Sequence, residues 1–172
     1  MIISPPCLLD NTHQLDGFNS GQNELDTWLT RYALQNLKAN AARTFVVCQK
    51  KQVVGYYSLA VGSVEYEMAS RRVQKGLARH PIPVMVLARL AVDRPFQGRG
   101  IGSGLLKDAV ARTLRAAAHA GIRAMIVHAK DDDAKRFYCQ YGFEASPFDP
   151  LLLMLLLKDA EMTLRQAPAV RD

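Results

Sequence analysis

The sequence contains little cysteine and no paired cysteine motif. Its three cysteines, Cys7, Cys48 and Cys139, are far apart in the chain, and none belongs to a CxxC pair. A disulfide framework or a zinc site is therefore not expected, because both need a recognisable set of spaced cysteines. This cysteine usage suits a reducing cytosol. We expect no metal ion.

The sequence also lacks a long apolar run. The longest one, Leu151 to Leu157, covers seven residues, whereas a membrane-spanning helix needs about 20. The opening segment, Met1 to Pro6, lacks the basic residues that begin a signal peptide. We therefore expect no membrane span and a cytoplasmic location, and we assign the run at 151–157 to a buried strand.

The rest of the composition is ordinary for a globular protein. The 172 residues are 49% hydrophobic and 22% charged, and a chain of this length can bury about 70% of its unfolded surface. We expect one domain over residues 1–172, with a polar tail from Asp159 that frays. The net charge of +6 suits either a polyanionic partner or a basic protein that binds none.

Periodicity and turn signals predict a mixed α/β sheet with helices on both faces. The predicted strands are Ile2–Leu9 at an edge, Phe45–Cys48, Val53–Val61, Val84–Val92, Ala124–His128, Phe143–Ser146 and Leu151–Leu157. The predicted helices are one capped by Ser20 and reaching Leu37, one from Ile101 to Ala118 stopped by Gly121, and one from Ala134 to Tyr141 capped by Asp131–Asp133 and ended by Gly142. Residues 63–83 are predicted to be loop with some helix.

A glycine-rich turn joins the predicted strand at 84–92 to the helix that starts at Ile101. Residues 97–102 of this turn read QGRGIG. Glycine permits the φ angles and the close approach that let several backbone N–H groups meet one anion. The lysine of a P-loop is absent, and the third glycine of a dinucleotide fingerprint is replaced by Ser103 or Leu105. The turn therefore indicates another phosphate-bearing ligand, or else a connection without a ligand.

Two segments resemble those of the GNAT superfamily of N-acetyltransferases. Gln97, Gly100 and Gly102 meet the pattern Q/R-x-x-G-x-G/A of its acetyl-CoA pyrophosphate loop. The segment DDDAKRFYCQYGF, which starts at Asp131, resembles its pattern N-x-x-A-x-x-x-Y-x-x-x-G-F, with an aspartate where asparagine is usual. The resemblance implies the GNAT fold and acetyl-CoA as cosubstrate. The cofactor-binding residues that it implies are Leu90, Ala91 and Val92 through their backbone, and Gln97, Gly98, Arg99, Gly100, Ile101, Gly102, Ser103 and Asp131.

Tyr138 is the candidate general acid. Ala134 lies one helical turn before it on the same face, which leaves room for a pantetheine arm beside the phenol. A phenol with a pKa of about 10 is matched to protonating a thiolate with a pKa of about 8.5. The resemblance therefore implies that Tyr138 protonates the departing CoA thiolate. The alternative is a half-buried aromatic residue without a catalytic role. Phe137 and Tyr141 are predicted to be core residues.

The acceptor amine is inferred from the absence of a convincing base. A lysine amine, with a pKa of about 10.4, needs a base at neutral pH, whereas an α-amine, with a pKa of about 8, is already partly neutral. Asp93 sits beside Arg94 in what reads as a solvated turn, and Glu65 and Glu67 occupy a polar stretch. The sequence therefore mildly favours an α-amine acceptor, such as an aminoacyl ester or a protein N-terminus.

A narrower resemblance covers nearly the whole chain. The segments that carry it are 15–18, 25–29, 43–46, 55–59, 81–84, 89–93, 127–129, 137–138, 146–150 and 157–159. Together they resemble the GNAT toxins of bacterial type II toxin–antitoxin systems, with Ser20 where cysteine is frequent. This resemblance implies acetylation of the α-amine of aminoacyl-tRNA, which blocks translation. It also implies a homodimer and neutralisation by a ribbon-helix-helix antitoxin.

Basic residues would hold the phosphates of a tRNA. The positions to test first are Lys38, Arg43, Arg79 and Arg89, although each could instead be a solvated surface charge.

The sequence is compatible with three functions: a toxin that acetylates aminoacyl-tRNA by direct attack in a ternary complex, a housekeeping N-acetyltransferase of a small amine or protein N-terminus, and a non-catalytic binding module. Cys139 has no identifiable histidine partner, so no covalent enzyme intermediate is expected.

Overall fold

The computed structural model describes residues 2–166, which contain seven strands in one sheet. The strands are β1 (Cys7–Leu8), β2 (Arg43–Gln49), β3 (Gln52–Val64), β4 (Ile82–Val92), β5 (Ala124–His128), β6 (Glu144–Ala145) and β7 (Leu152–Leu156). The helices are α1 (Asn23–Arg31), α2 (Ala33–Lys38), α3 (Arg71–Gln74), α4 (Ile101–Ala117), α5 (Asp132–Cys139) and α6 (Ala160–Gln166).

The sheet is mixed. Its strand order is β1-β2-β3-β4-β5-β7-β6. The pairs β1–β2, β2–β3, β5–β7 and β6–β7 are antiparallel, whereas β4 and β5 are parallel. Parallel neighbours need a long crossover connection, and α4 lies in the one between β4 and β5. The mixed sheet with helices confirms the predicted fold class.

The described residues divide into two compact units, residues 2–60 with 88–109, and residues 61–87 with 110–166. The core of the first unit includes Leu9, Phe18, Leu29, Val46, Val53, Tyr56 and Ala91. The core of the second unit includes Val64, Val73, Ile82, Val84, Ala124, Ile126, Leu152 and Met154. Each unit therefore has its own set of buried apolar side chains, which supply most of its stabilisation.

Several predicted elements are confirmed. The hairpin between β2 and β3 turns at Lys50, whose φ of 56° fits a tight two-residue turn. β5 has the predicted bounds, and β4 starts two residues earlier than predicted. Gly142 has a φ of 94° and follows the end of α5, as predicted from the preference for glycine at such positions.

Two predicted boundaries at the start of the chain are wrong. The predicted strand Ile2–Leu9 contains only an isolated bridge at Ile3 and the two residues of β1, because Pro5 and Pro6 cannot donate to a ladder. Ser20 is not a helix cap, since α1 begins at Asn23 after Gln22. The Ser20 hydroxyl instead donates to the Asp26 carboxylate at 2.6 Å. The predicted single helix is interrupted at Tyr32.

Two predictions in the later part of the chain are also wrong. The helix α4 ends at Ala117, four residues before Gly121, so that glycine is not its stop. Residues 160–166 form α6 instead of a frayed tail, and Ala160 and Thr163 are buried. The Thr163 hydroxyl donates to the Tyr141 carbonyl oxygen at 2.5 Å. The remainder of the tail, residues 167–172, lies outside the described residues.

Candidate active site

The glycine-rich turn, residues 97–102, has the predicted strand–turn–helix setting. A short 3-10 helix at 94–96, with Pro95 inside it, follows the end of β4, because proline does not continue a ladder. Gly98 and Gly100 have φ angles of 77° and 84°, a region that glycine occupies without steric cost. The helix α4 begins directly after Gly100, so the turn lies at the positive end of its macrodipole.

The turn offers a set of open hydrogen-bond donors. Within residues 2–166, the backbone N–H groups of Gly98, Gly100, Ile101 and Gly102 make no hydrogen bond. A Cβ placed on Gly98 or Gly100 would meet no atom within 4 Å, so the space above both glycines is open. Unpaired N–H groups at a helix N-terminus, with open space in front of them, suit an anion such as a pyrophosphate.

The Gln97 side chain holds the turn in place. Its amide nitrogen donates to the Val92 carbonyl oxygen at 2.8 Å and to the Ser20 carbonyl oxygen at 2.9 Å. Both amide hydrogens are therefore engaged by the protein. We infer that Gln97, predicted to bind the cofactor, acts by fixing the turn between β4 and the segment before α1.

Two arginines flank the turn. The Arg94 guanidinium packs over Gly21, where a Cβ would lie 3.0 Å from its Nε atom. Arg99 is exposed, and its guanidinium carbon lies 5.5 Å from the centre of the Phe96 ring. Ser103 lies half-buried in the first turn of α4. Of the two arginines, only Arg99 lies within the turn at 97–102.

The end of β4 extends past its ladder with β5. The parallel ladder pairs Val84 with Ala124, Met85 with Met125 and Val86 with Ile126, whereas β4 continues to Val92. Residues 90–92, whose backbone is predicted to bind pantetheine, lie beyond that ladder. Their backbone groups consequently make no ladder hydrogen bonds with β5. Binding of pantetheine by this backbone requires such a gap in the ladder.

Close packing sets α4 against β3. A Cβ on Gly55 would lie 3.1 Å from Leu105 and 3.3 Å from Ile101, so a larger residue there would force these side chains to shift by a few tenths of an ångström. The hydroxyl of buried Tyr57 donates to the Asp108 carboxylate at 2.5 Å. These contacts, all within the first unit, fix the helix whose N-terminus faces the turn.

The predicted cap of α5 is confirmed. The Asp131 carboxylate accepts a hydrogen bond from the Ala134 backbone N–H at 2.8 Å, and Asp131 is the N-cap residue. Aspartate is a preferred N-cap residue because its oxygen satisfies a free N–H group. This role accounts for Asp131 locally, and its predicted contact with a cofactor stays a prediction.

Tyr138 is buried within an aromatic cluster of the second unit. Its ring centre lies 5.1 Å from that of Phe137 and 5.5 Å from that of Phe143, both in edge-to-face geometry. Tyr141 is buried and lies against Phe137. Burial raises the pKa of Tyr138 above its ordinary value, because the apolar surroundings disfavour the phenolate. No hydrogen bond within residues 2–166 engages its hydroxyl.

The four basic residues proposed for tRNA do not lie in one unit. Lys38, Arg43 and Arg89 belong to the first unit and Arg79 to the second. Lys38 is exposed at the end of α2, and Arg43 donates to Asn40 at 3.0 Å. The guanidinium carbon of Arg89 lies 4.1 Å from the Trp28 ring centre, and that of Arg79 lies 5.7 Å from the Tyr66 ring centre.

Comparison with known proteins decides the family. A profile of the acetyltransferase (GNAT) domain matches residues 40–145. The chain belongs to the GNAT acetyltransferase family. It is therefore an acetyl-CoA-dependent N-acetyltransferase, which excludes a purely non-catalytic binding module.

Individual relatives of this GNAT protein are toxins. The chain is 47% identical over 157 residues to a tRNA-acetylating toxin of Mycobacterium tuberculosis, which covers 91% of this chain and 94% of that protein. It resembles the structure of AtaT complexed with acetyl-methionyl-tRNAfMet, with a TM-score of 0.86, 27% identity and coverage of 94% and 98%. It also resembles an AtaT mutant bound to acetyl-CoA and the C-terminus of the antitoxin AtaR, with a TM-score of 0.80, 27% identity and coverage of 96% and 100%.

The residues of this GNAT chain fit acetyl-CoA. The open N–H groups of the turn and the exposed Arg99 suit its pyrophosphate, and the backbone at 90–92 suits its pantetheine arm. Acetyl-CoA supplies an acetyl group activated as a thioester.

In the described part of the chain, no set of three His, Cys, Asp or Glu side chains could hold a metal ion. No helix within residues 2–166 is long and apolar enough to cross a membrane.

One feature of this GNAT chain was missed by the sequence reasoning. Trp28, Tyr32 and Arg89 line a common groove of about 510 Å³ in the first unit. Trp28 and Tyr32 are four residues apart, a spacing that places two side chains on one helix face. That spacing predicts that the two rings lie on the same side of the helix. It does not predict the contact with Arg89, which lies 61 positions after Trp28 in the sequence.

Proposed function

We propose that this protein transfers the acetyl group of acetyl-CoA to the α-amine of an aminoacyl-tRNA, and that it thereby acts as a toxin that blocks translation. The observation that carries the proposal is the 47% identity to a tRNA-acetylating toxin over 91% of this chain. The fold likeness to AtaT in complex with an acetylated aminoacyl-tRNA supports the same acceptor.

The reaction is a direct acyl transfer in a ternary complex. The α-amine nitrogen attacks the thioester carbonyl carbon, the new C–N bond forms, and the C–S bond breaks. The amine loses a proton and the departing thiolate gains one. The turn at 97–102 would hold the donor through its N–H groups, and the backbone at 90–92 would align the reacting carbonyl.

Tyr138 would give the thiolate its proton. The raised pKa of the phenol keeps Tyr138 protonated throughout the neutral range, so the donor form is always present. The same shift weakens the acid, so the proton moves only as charge builds on the sulfur. Tyr138 and the turn lie in different compact units, and their joint action is part of the proposal.

The burial pattern supports an α-amine as acceptor. Within residues 2–166, no aspartate or glutamate side chain is buried, so none lies in the water-excluded setting typical of a strong carboxylate base. The Asp93 carboxylate accepts a hydrogen bond from the Asn19 backbone N–H at 2.9 Å, which gives it a structural role. An α-amine with a pKa of about 8 reacts without such a base.

The remaining parts of the proposal concern assembly and place. We propose that residues 1–172 act as one domain, that the protein is a homodimer in the cytoplasm, and that a ribbon-helix-helix antitoxin neutralises it. The AtaT structure with the C-terminus of AtaR supports an antitoxin partner. Lys38, Arg43, Arg79 and Arg89 would contact tRNA phosphates.

The test uses the purified full-length protein with acetyl-CoA and total charged tRNA. Mass spectrometry of the released aminoacyl-adenosines should show an acetyl group on the α-amine of one or a few amino acids. The Tyr138→Phe variant is the control for a contaminating activity and should give far less product. Free peptides and polyamines are offered in parallel. Their acetylation without any product on tRNA would refute the proposal and favour a housekeeping N-acetyltransferase.

A further inference from the structure

A groove on α1 and β4 combines aromatic and charged side chains. It measures about 510 Å³ and is lined by Asn23, Glu24, Leu25, Thr27, Trp28, Tyr32, Ala88 and Arg89, and we refer to it as the Trp28 groove. Its volume falls within the range of about 300–1,000 Å³ that is usual for ligand sites. All of these residues belong to the first unit.

The Trp28 ring contacts both Arg89 and a buried tyrosine. The Arg89 guanidinium carbon lies 4.1 Å from the centre of the Trp28 ring, the distance of a close cation–π contact. The Trp28 ring also lies against Tyr56, with the two rings nearly parallel at 12° and their centres 6.2 Å apart. Tyr56 is fully buried, and its hydroxyl donates to the Leu25 carbonyl oxygen at 2.7 Å. Trp28, the ring that contacts the guanidinium, is therefore itself packed against a buried, hydrogen-bonded side chain.

Arg89 has no counter-ion among residues 2–166. Within the described residues, its guanidinium makes no hydrogen bond and no ion pair. Its side chain is half-buried, and this partial burial lowers its pKa, because removal from water disfavours the charged form. A partly desolvated guanidinium with unused donors is expected to bind a planar or tetrahedral oxyanion strongly.

The groove also offers a stacking surface. Tyr32 lines it and is 47% exposed, so its ring is accessible to a ligand from solvent. Exposed aromatic rings beside a cationic group are typical of sites for unpaired nucleotides, since every base has a face that can stack. Glu24 lies in the same groove, and it makes no ion pair with Arg89 within 4.0 Å.

We propose that the Trp28 groove is a nucleotide subsite for the unpaired 3′ end of the charged tRNA, with a phosphate bound by Arg89 and a base stacked on Tyr32. The proposal deepens the proposed function and depends on it for the identity of the RNA. A cationic platform and an exposed ring next to each other match a phosphate and a base of one nucleotide. This assignment separates Arg89 from Lys38, Arg43 and Arg79, which would contact the phosphates of the tRNA body.

Trp28 makes the test direct because it is the only tryptophan in the chain. Any change of intrinsic tryptophan emission therefore reports on this groove. The full-length protein is titrated with an uncharged RNA hairpin that ends in single-stranded CCA. We expect the RNA to quench the Trp28 emission saturably. A hairpin that lacks the CCA end should bind with a dissociation constant at least tenfold higher. Unchanged emission at saturating RNA would overturn the proposal.

Three variants separate the roles of the lining residues. Arg89→Ala is expected to weaken hairpin binding about tenfold or more, the size of one phosphate or stacking contact. The slope of the logarithm of the binding constant against the logarithm of the salt concentration should also decrease in magnitude by about one. Arg89→Lys keeps the charge and is expected to recover part of the affinity. Arg31→Ala is the matched control, because Arg31 is an exposed arginine of α1 outside the groove lining. Equal losses in Arg89→Ala and Arg31→Ala would overturn the proposal.

Two further outcomes discriminate between occupants. Quenching by acetyl-CoA alone, abolished in Arg89→Ala, would assign the groove to the donor and overturn the proposal. Glu24→Gln is expected to tighten hairpin binding, because it removes a negative charge beside the phosphate. If the protein acetylates no charged tRNA, the proposed function fails, whereas quenching by the CCA end would still establish the subsite. If tRNA is acetylated but Arg89→Ala binds the hairpin normally, only the subsite fails.

Discussion

The Gln97 side-chain amide donates to the Val92 carbonyl oxygen at 2.8 Å, which ties the glycine-rich turn to the end of β4. A second hydrogen bond from the same nitrogen reaches the Ser20 carbonyl oxygen at 2.9 Å. The turn and residues 90–92 are the two parts of the first unit that we propose contact the donor. Gln97 is therefore a positioning residue, whose loss would misplace both parts at once.

We expect Gln97→Glu to raise the KM for acetyl-CoA about tenfold or more, because two amide–carbonyl hydrogen bonds are replaced by repulsion and a negative charge approaches the pyrophosphate. The change in kcat should be smaller. Gln52→Glu is the control, because the Gln52 side-chain amide also donates to a distant backbone carbonyl oxygen, that of Asp16 at 3.0 Å. Gln52 is not part of the glycine-rich turn. Steady-state kinetics with varied acetyl-CoA measure both. The same KM in both variants would contradict the positioning role.

Gly100→Ala should impair donor binding and stability together. The φ of Gly100 is 84°, and an alanine there is strained by about 1–2 kcal/mol. Gly17 provides a matched control, because its φ is 81° and a Cβ on it would also meet no atom within 4 Å. Both variants should lose a similar free energy of unfolding in a denaturant titration. Only Gly100→Ala should raise the KM for acetyl-CoA, and an equal rise in Gly17→Ala would refute the special role of the turn.

The structure of the glycine-rich turn could be predicted from the sequence because its signals are local. The turn at 97–102 is bounded by a strand and a helix that follow directly in the chain, and its glycines report the backbone angles that it needs. The cap at Asp131 and the stop at Gly142 are equally local, since each is decided within about one helical turn. For these positions the residue type alone limits the conformations available.

The features that were missed depend on contacts between distant residues. The segment from Asp159 is polar enough to predict a frayed tail, but Arg72, 87 positions away, donates two hydrogen bonds to the Asp159 carboxylate at 2.7 and 2.8 Å. The contact of Arg89 with Trp28 has the same character. The residue type of Ser20 predicts a helix cap, whereas its hydroxyl donates to the Asp26 carboxylate. Such partners are chosen by packing, which local patterns do not encode.

Thr163→Val tests whether α6 is an integral part of the second unit. Thr163 is 1% exposed, and its hydroxyl donates to the Tyr141 carbonyl oxygen. Valine has the same shape but leaves that buried carbonyl without this donor, at a cost of about 1–3 kcal/mol. Thr30→Val is the control, because its hydroxyl bonds to Asp26 on an exposed helix surface and should cost about 0.5 kcal/mol or less. Equal losses in a urea titration would show that α6 contributes little.

Tyr138→Phe should reduce kcat about 100-fold or more, the usual size of a general-acid effect. The KM for acetyl-CoA should stay unchanged, and so should stability, because phenylalanine keeps the edge-to-face contacts with Phe137 and Phe143. Tyr141→Phe is the control, as it removes a hydroxyl from a buried tyrosine on the neighbouring turn. A Tyr138→Phe variant with normal kcat would remove this phenol from the mechanism.

The pH dependence of kcat/KM for the acceptor provides an independent test of the same residue. Burial raises the pKa of Tyr138 above its ordinary value of 10.0, so the phenol stays protonated, and able to donate, as pH rises to 10 and beyond. The α-amine acceptor, with a pKa of about 8, becomes more reactive from pH 6 to 8. Wild-type kcat/KM for the acceptor should therefore rise and then level off without a fall below pH 10. The measurement needs an amide-linked aminoacyl-tRNA analogue, because the natural ester hydrolyses in alkali. A falling limb below pH 10 in the wild type that disappears in Tyr138→Phe would place the phenol's pKa below its ordinary value and contradict the effect of burial.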